Sequence, residues 1–193
     1  MIKTLLNFSG GLDSTYVAWD YFQKEKKQIV LLHHMNLKSN EAKIRWQLEN
    51  KSTKEILNYF DKCGYKNYKY IETTIDYSQL GYTVTDADLI FFMTGILLRK
   101  PEYRGINKIL MPYSAEDFQK NNYHNLELDR YKLLRIMSKN IQPELVFPIE
   151  FIGRKELMKN MPEELFKLSW YCRKPLPNGD KCLNCVSCKE TLS

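Results

Sequence analysis

The chain has 193 residues, enough for one ordinary domain with a small appendage. Its 44% hydrophobic content supports a real core, and 27% charged residues excludes disorder as the default state. The net charge of +6 suits an anionic ligand such as a nucleotide, and nucleic acid is a compatible but less favoured partner because no long basic run occurs.

No apolar stretch approaches the roughly 20 residues a bilayer span requires. Residues 1–8 are too short and too soon interrupted for a signal peptide. A cytoplasmic location with no membrane partner is expected. Disulfides are uncommon there, so the five cysteines need another explanation.

In chain order, Thr4 to Phe8 reads as a short buried strand, broken by Ser9-Gly10-Gly11. A helix is expected from Asp13 or Ser14 through Phe22 to the charged run at 24–27. Gln28 to His34 is apolar enough for a strand covered on both faces. Asn40 is placed to cap a helix from Glu41 to Phe60, with Ile44, Leu48, Ile56 and Phe60 facing inward. Tyr68 to Thr73 alternates as a third strand, Ala87 to Leu98 forms a helix capped by Thr85 or Asp86, and Lys108 to Pro112 is a fourth strand. Leu126 to Met137 is amphipathic, and the chain from Pro143 is Pro-rich, then Cys-rich. There is no internal repeat. Alternating strands and helices predict an α/β fold: a parallel sheet with helices on both faces. The expected division is a nucleotide-binding domain over 1–150, with a helical segment and cysteine knuckle over 151–193 packed on it.

The segment Ser9-Gly10-Gly11-Leu12-Asp13-Ser14-Thr15 joins the first strand to the first helix, where open α/β sheets dock ligands. The glycines let backbone approach a ligand closely, and the N–H groups opening the helix favour phosphate. Ser9, Ser14 and Thr15 add hydroxyl donors. Asp13 would repel phosphate unless it holds Mg²⁺ or caps the helix. The loop is neither a Walker A nor a G-x-G-x-x-G motif. Cys172, Cys182, Cys185 and Cys188, spaced C-x₉-C-x₂-C-x₂-C, suit a tetrahedral Zn²⁺. An iron–sulfur cluster, redox-active thiols and unrelated core cysteines are the alternatives, and the spacing differs from the bacterial ferredoxin run. Cys63 reads as a structural thiol.

The hexad Ser-Gly-Gly-Leu-Asp-Ser resembles the signature of the PP-loop ATP pyrophosphatases, of the adenine nucleotide alpha hydrolase-like fold. With the cysteines, and with Ser169-Trp170-Tyr171-Cys172, the chain is similar to the 7-cyano-7-deazaguanine synthases of queuosine biosynthesis. Leu183 stands where that family usually has glycine, and Tyr82 to Asp88 replaces its Pro-Gly-Arg-Asn-rich segment. The resemblance implies an ATP-dependent carbon–nitrogen ligase that adenylates a carboxylate and releases pyrophosphate. Its substrates would be 7-carboxy-7-deazaguanine and ammonia, and its product 7-cyano-7-deazaguanine. ATP, Mg²⁺ and Zn²⁺ are the implied cofactors, and a homodimer is compatible.

By the same resemblance, Ser9, Gly10, Gly11, Leu12, Asp13, Ser14 and Thr15 hold ATP. The end of the second strand, with His33, meets the adenine, and Lys155 neutralises the departing pyrophosphate. Glu116 or Asp117, in Pro112 to Phe118, falls where the family contacts its base. Two further readings stand. A divergent relative would make an amide or modify DNA or protein, and a non-catalytic zinc-knuckle protein would bind nucleic acid through its interspersed Tyr and Lys at 65–70.

Overall fold

Five strands make one parallel sheet in the computed structural model, which describes residues 2–40, 44–80, 85–119 and 123–192, the side chains of 123–127 excepted. They are β1 (Thr4–Asn7), β2 (Val30–Lys38), β3 (Tyr68–Asp76), β4 (Lys108–Leu110) and β5 (Glu144–Val146), in the spatial order β3-β2-β1-β4-β5. Every pairing is parallel. The helices are α1 (Leu12–Lys24), α2 (Arg45–Lys62), α3 (Asp86–Leu97), α4 (Ala115–Phe118), α5 (Tyr123–Met137), α6 (Arg154–Asn160), α7 (Glu163–Leu168) and α8 (Val186–Leu192).

Strand alternation divides the core in two. Leu6 and Leu32 face α1, α2, α6 and α7 through Val17, Phe22, Ile56, Phe60, Leu157 and Leu165. Leu5, Leu31 and Ile109 face α3 and α5 through Phe91, Leu97 and Leu134. The sheet is therefore covered on both faces. Each fully buried Leu or Phe contributes about 1.5–3 kcal/mol relative to exposure. Tyr65 and Tyr68 pack on Phe22 at 5.3 and 5.6 Å between ring centroids. The aromatics Tyr65, Tyr68 and Tyr70 are thus half-buried and pack against the core, while Lys66 and Lys69 are exposed.

The order places β1 between β2 and β4. From β1 the chain turns to β2 on one side; later, β4 joins on the other. Connections leaving β1 and β4 diverge and open a crevice at the carboxyl ends of the strands.

Several boundaries move. Strand β2 continues past His34 to Lys38, paired residue by residue with β3, which itself runs to Asp76. Polar residues hid this extension: Asn36 is buried, donating to Glu72 Oε1 at 2.7 Å and accepting from Asn50 Nδ2 at 3.1 Å. Asn40 does not cap α2; its amide donates to the Ser78 carbonyl at 2.6 Å, and the helix opens after Ile44. The predicted start at 41–43 lies outside the described residues, as do Tyr82 to Val84. Ile56 and Phe60 are fully buried, whereas Ile44 and Leu48 are half-buried. Cys63 is exposed at the end of α2 and is not a core thiol. Strand β5 and helices α6–α8 emerge from the Pro-rich and Cys-rich region. No helix among the described residues is long and apolar enough to cross a membrane.

Candidate active site and metal centre

The crevice opens over the β1–α1 loop. Gly10 takes φ +74, a conformation that side chains rarely adopt, and a Cβ there would lie 2.7 Å from Thr53 Oγ1 and 3.1 Å from the Thr53 backbone nitrogen. The loop is tied down from beneath. The Gly10 carbonyl accepts from Trp170 N at 2.8 Å and from Ser52 Oγ at 3.1 Å. Ser14 Oγ receives the Ser9 N–H at 3.2 Å and donates to the Gly11 carbonyl at 3.2 Å. Gly11 is the N-cap of α1, and no side chain caps that end. The first intrahelical bond runs from Thr15 N to Gly11 O at 3.0 Å, so the N–H groups of Leu12, Asp13 and Ser14 precede the helical ladder. Such a helix start is a ready anion site.

Ser9, Gly11, Leu12, Asp13 and Ser14 line a cleft of about 190 Å³. Its other walls are Asn7, Met111 to Tyr113, Asp117, Arg154, the aromatic pair Trp170 and Tyr171, and the N-terminal ends of α2 and α3. Thr15 is buried beneath the loop with its hydroxyl unpartnered, outside the cleft. His33 also lies outside it. Its Nε2 pairs with Thr73 Oγ1 at 2.8 Å, and burial, then His34 and Lys100, push its pKa down to about 4.

Arg154 occupies the centre of the site. It opens α6 and is 7% exposed, whereas the neighbouring Lys155 points to solvent and does not line the cleft. Arg154 reaches Asp13 Oδ2 at 3.0 Å and Asp117 Oδ2 at 3.3 Å, and it bonds Glu190 of α8. Its own N–H donates to Glu116 Oε1 at 2.9 Å. Both sequence candidates on α4 therefore touch this arginine. Burial pushes the Asp13 carboxyl above its ordinary range against the pull of Arg154. Burial works against the Arg154 charge, but Asp13, Asp117 and Glu190 outweigh it and hold the guanidinium protonated.

A second network crosses the same cleft. Arg45 donates to Glu49 and Asp86, both at 2.7 Å, and Arg173 donates to Asp86 at 2.9 Å. Burial alone would raise the Asp86 carboxyl, yet Arg45 and Arg173 prevail and hold it below its ordinary value. Sequence reasoning missed Arg154, Glu190, Arg45, Asp86 and Arg173. The available signal was spacing: Arg154 and Leu157 share a helix face at i, i+3, while Lys155 turns away.

The four cysteines converge as spacing predicted. The sulfurs of Cys172, Cys182, Cys185 and Cys188 lie within 4.8 Å of one another. The pair Cys172–Cys182 is 3.5 Å apart. Tetrahedral zinc with bonds of about 2.3 Å separates its sulfurs by about 3.8 Å. Backbone N–H groups of Cys182 and Cys185 donate to Cys172 and Cys182 sulfurs at 3.3 Å, which favours thiolate. The cluster can hold a metal ion. Leu183, between two of these cysteines, has φ 55, so glycine suits that position better.

No family model matches the chain, and no curated protein matches it. Among solved structures, the chain is similar to the U34-tRNA thiolase NcsA from Methanococcus maripaludis with its [4Fe-4S] cluster. The TM-score is 0.56 and the identity 16%, over 97% of this chain and 62% of that one. This chain thus spans less than two thirds of the thiolase's length. The chain thus shares that structure's fold, a parallel five-stranded α/β sheet covered by helices on both faces, and adds a C-terminal cysteine cluster.

Proposed function

We propose that this protein is an ATP-dependent adenylating enzyme that splits ATP between the α- and β-phosphates on the Ser9–Ser14 loop. The observation that carries the reading is the uncapped start of α1 beside the buried Arg154. Pyrophosphate needs fixed donors and positive charge as it departs; the start of α1 supplies the donors, and Arg154 supplies charge by exchanging a carboxylate partner for the phosphate. Arg154, rather than Lys155, takes the charge-neutralising role, because only it faces the loop. Asp13 holds Arg154 in place. Both Asp13 oxygens already face the guanidinium, so Mg²⁺ would accompany ATP as the nucleotide's counter-ion rather than rest on a free Asp13.

The acceptor reading is 7-carboxy-7-deazaguanine, from the resemblance to its synthases. Tyr113, Trp170 and Tyr171 offer flat walls for a heterocycle, and Arg173 offers a carboxylate partner by exchanging its bond to Asp86. A carboxylate oxygen attacks the α-phosphorus, pyrophosphate leaves, and ammonia displaces AMP from the acyl adenylate to give the amide. A second ATP activates the amide oxygen for loss as AMP, leaving the nitrile. The cysteine cluster fits zinc in a structural role, since four thiolates leave no coordination site open for chemistry. A bulky iron–sulfur cubane would spread its thiolates farther apart than this cluster does. In this reading residues 1–150 form the nucleotide-binding domain and residues 151–193 the helical and cysteine-knuckle segment.

The test is mass spectrometry of products from ATP, ammonia and the carboxy-deazaguanine. The nitrile supports the whole proposal. An amide keeps adenylation and shifts the product, and no consumption of the acid removes this acceptor.

A further inference from the structure

Away from the ATP cleft lies a larger cavity of about 770 Å³ between the edge strand β3 and the C-terminal ends of α3 and α5. Met93, Ile96, Leu97 and Ile141 contribute apolar surface to it. Among the described residues four cations, Arg99, Lys100, Arg104 and Lys139, line it, and no carboxylate does. All four are exposed. The one carboxylate within residues 99–104, Glu102, faces Lys69 at 3.9 Å instead. Arg99, Lys100 and Lys139 follow helix C-termini, so each also answers the negative end of its helix. That local role does not require these three to converge, with Arg104, on one open groove.

The groove is in line with the cleft. On α3, residues 86, 87 and 90 line the cleft, while 93, 96 and 97, with Lys100 beyond, line the groove. Positions 86, 90, 93, 97 and 100 follow one another at helical spacings of four and three, which is a single stripe. From Ala87 to Ile96 the axis rises about 14 Å.

We propose that this groove binds the sugar–phosphate backbone of a single-stranded nucleic acid. A phosphate track requires cations at intervals with no competing acids, and the groove supplies them. A duplex is too wide to enter a concavity of this size and would rest on its rim. The proposal does not depend on which acid the ATP cleft adenylates, because its readout is binding.

The test measures fluorescence anisotropy of labelled single-stranded RNA, single-stranded DNA and duplex across a salt series. Native protein is compared with a variant carrying Arg99→Gln, Lys100→Gln, Arg104→Gln and Lys139→Gln. A charge-matched control carries Lys24→Gln, Lys51→Gln, Lys132→Gln and Lys167→Gln, all outside the groove. Thermal unfolding confirms that each variant is folded. With about 0.7 counterions released per cation, four cations steepen the log–log salt slope by about 3, so native binding falls about 50-fold more than that of the groove variant between 50 and 200 mM salt. The expected result is strong single-strand binding by native protein and control, lost with a shallower slope in the groove variant. The proposal is overturned if native protein fails to bind single strands at low salt. It is equally overturned if both variants lose affinity alike, or if duplex binds as well and with the same slope.

Discussion

Replacing Arg154 by Met removes a cation that Asp13, Asp117 and Glu190 share inside the cleft. The arginine side chain is 8% exposed, and its three carboxylate partners lie between 19% and 22%, so water compensates little. Breaking a buried ion pair by deleting one partner costs about 3–5 kcal/mol, which for a chain of this size lowers Tm by about 10 °C. The pH dependence has a definite sign. Burial already lifts the Asp13 carboxyl, with Arg154 opposing, and losing Arg154 lifts it further. The folded variant then binds more protons than its unfolded chain, so its stability rises as pH falls through the folded pKa. The gap to native protein should narrow from pH 7 to pH 5. Thermal unfolding by circular dichroism at both values is the assay, with Lys155→Met as the comparator. An exposed lysine away from such networks changes stability by only about 0.5 kcal/mol. Equal Tm shifts for the two variants, or a gap that widens on acidification, would refute the assignment of Arg154 as the hub.

Four further outcomes are expected. Gly10→Ala forces a side chain into a left-handed backbone against Thr53, costing about 1–2 kcal/mol for the conformation alone; Tm should fall and nucleotide affinity, read by calorimetry, should drop with it. Leu183→Gly relieves the same kind of backbone in the cysteine loop and should raise Tm by a few degrees, about 1 kcal/mol after the entropic cost of glycine. Asp86→Asn uncouples Arg45 from Arg173 and should cost about 3 kcal/mol at pH 7. Because the folded Asp86 carboxyl sits below its ordinary value, that contribution is present above the unfolded pKa and fades as pH falls through the folded one, so urea midpoints should converge only once the pH is below the ordinary aspartate range. Elemental analysis should find one zinc per chain, lost in Cys172→Ser, and a strong chelator should lower Tm.

What was legible in the sequence was local. The Ser9–Ser14 loop and the four cysteines are contiguous or closely spaced patterns whose chemistry follows from neighbours along the chain. The strands β1 and β2 announced themselves by unbroken apolar runs. The length of β2 did not, because past His34 comes Asn36, a polar residue buried through partners contributed by β3 and α2. Arg154 was hidden for the same reason. Its role depends on Asp13, Asp117 and Glu190, which come from three other helices, and adjacent Lys155 carries the same charge. Strand β5 was concealed by its brevity: three residues after a proline make no period that a sequence can display.

The proposed activity requires cleavage of ATP at its α-phosphorus. Phosphorus-31 NMR of native protein turning over ATP with the carboxylate substrate reads this directly. AMP and pyrophosphate appearing in equal amounts is the predicted spectrum; ADP and inorganic phosphate would contradict it.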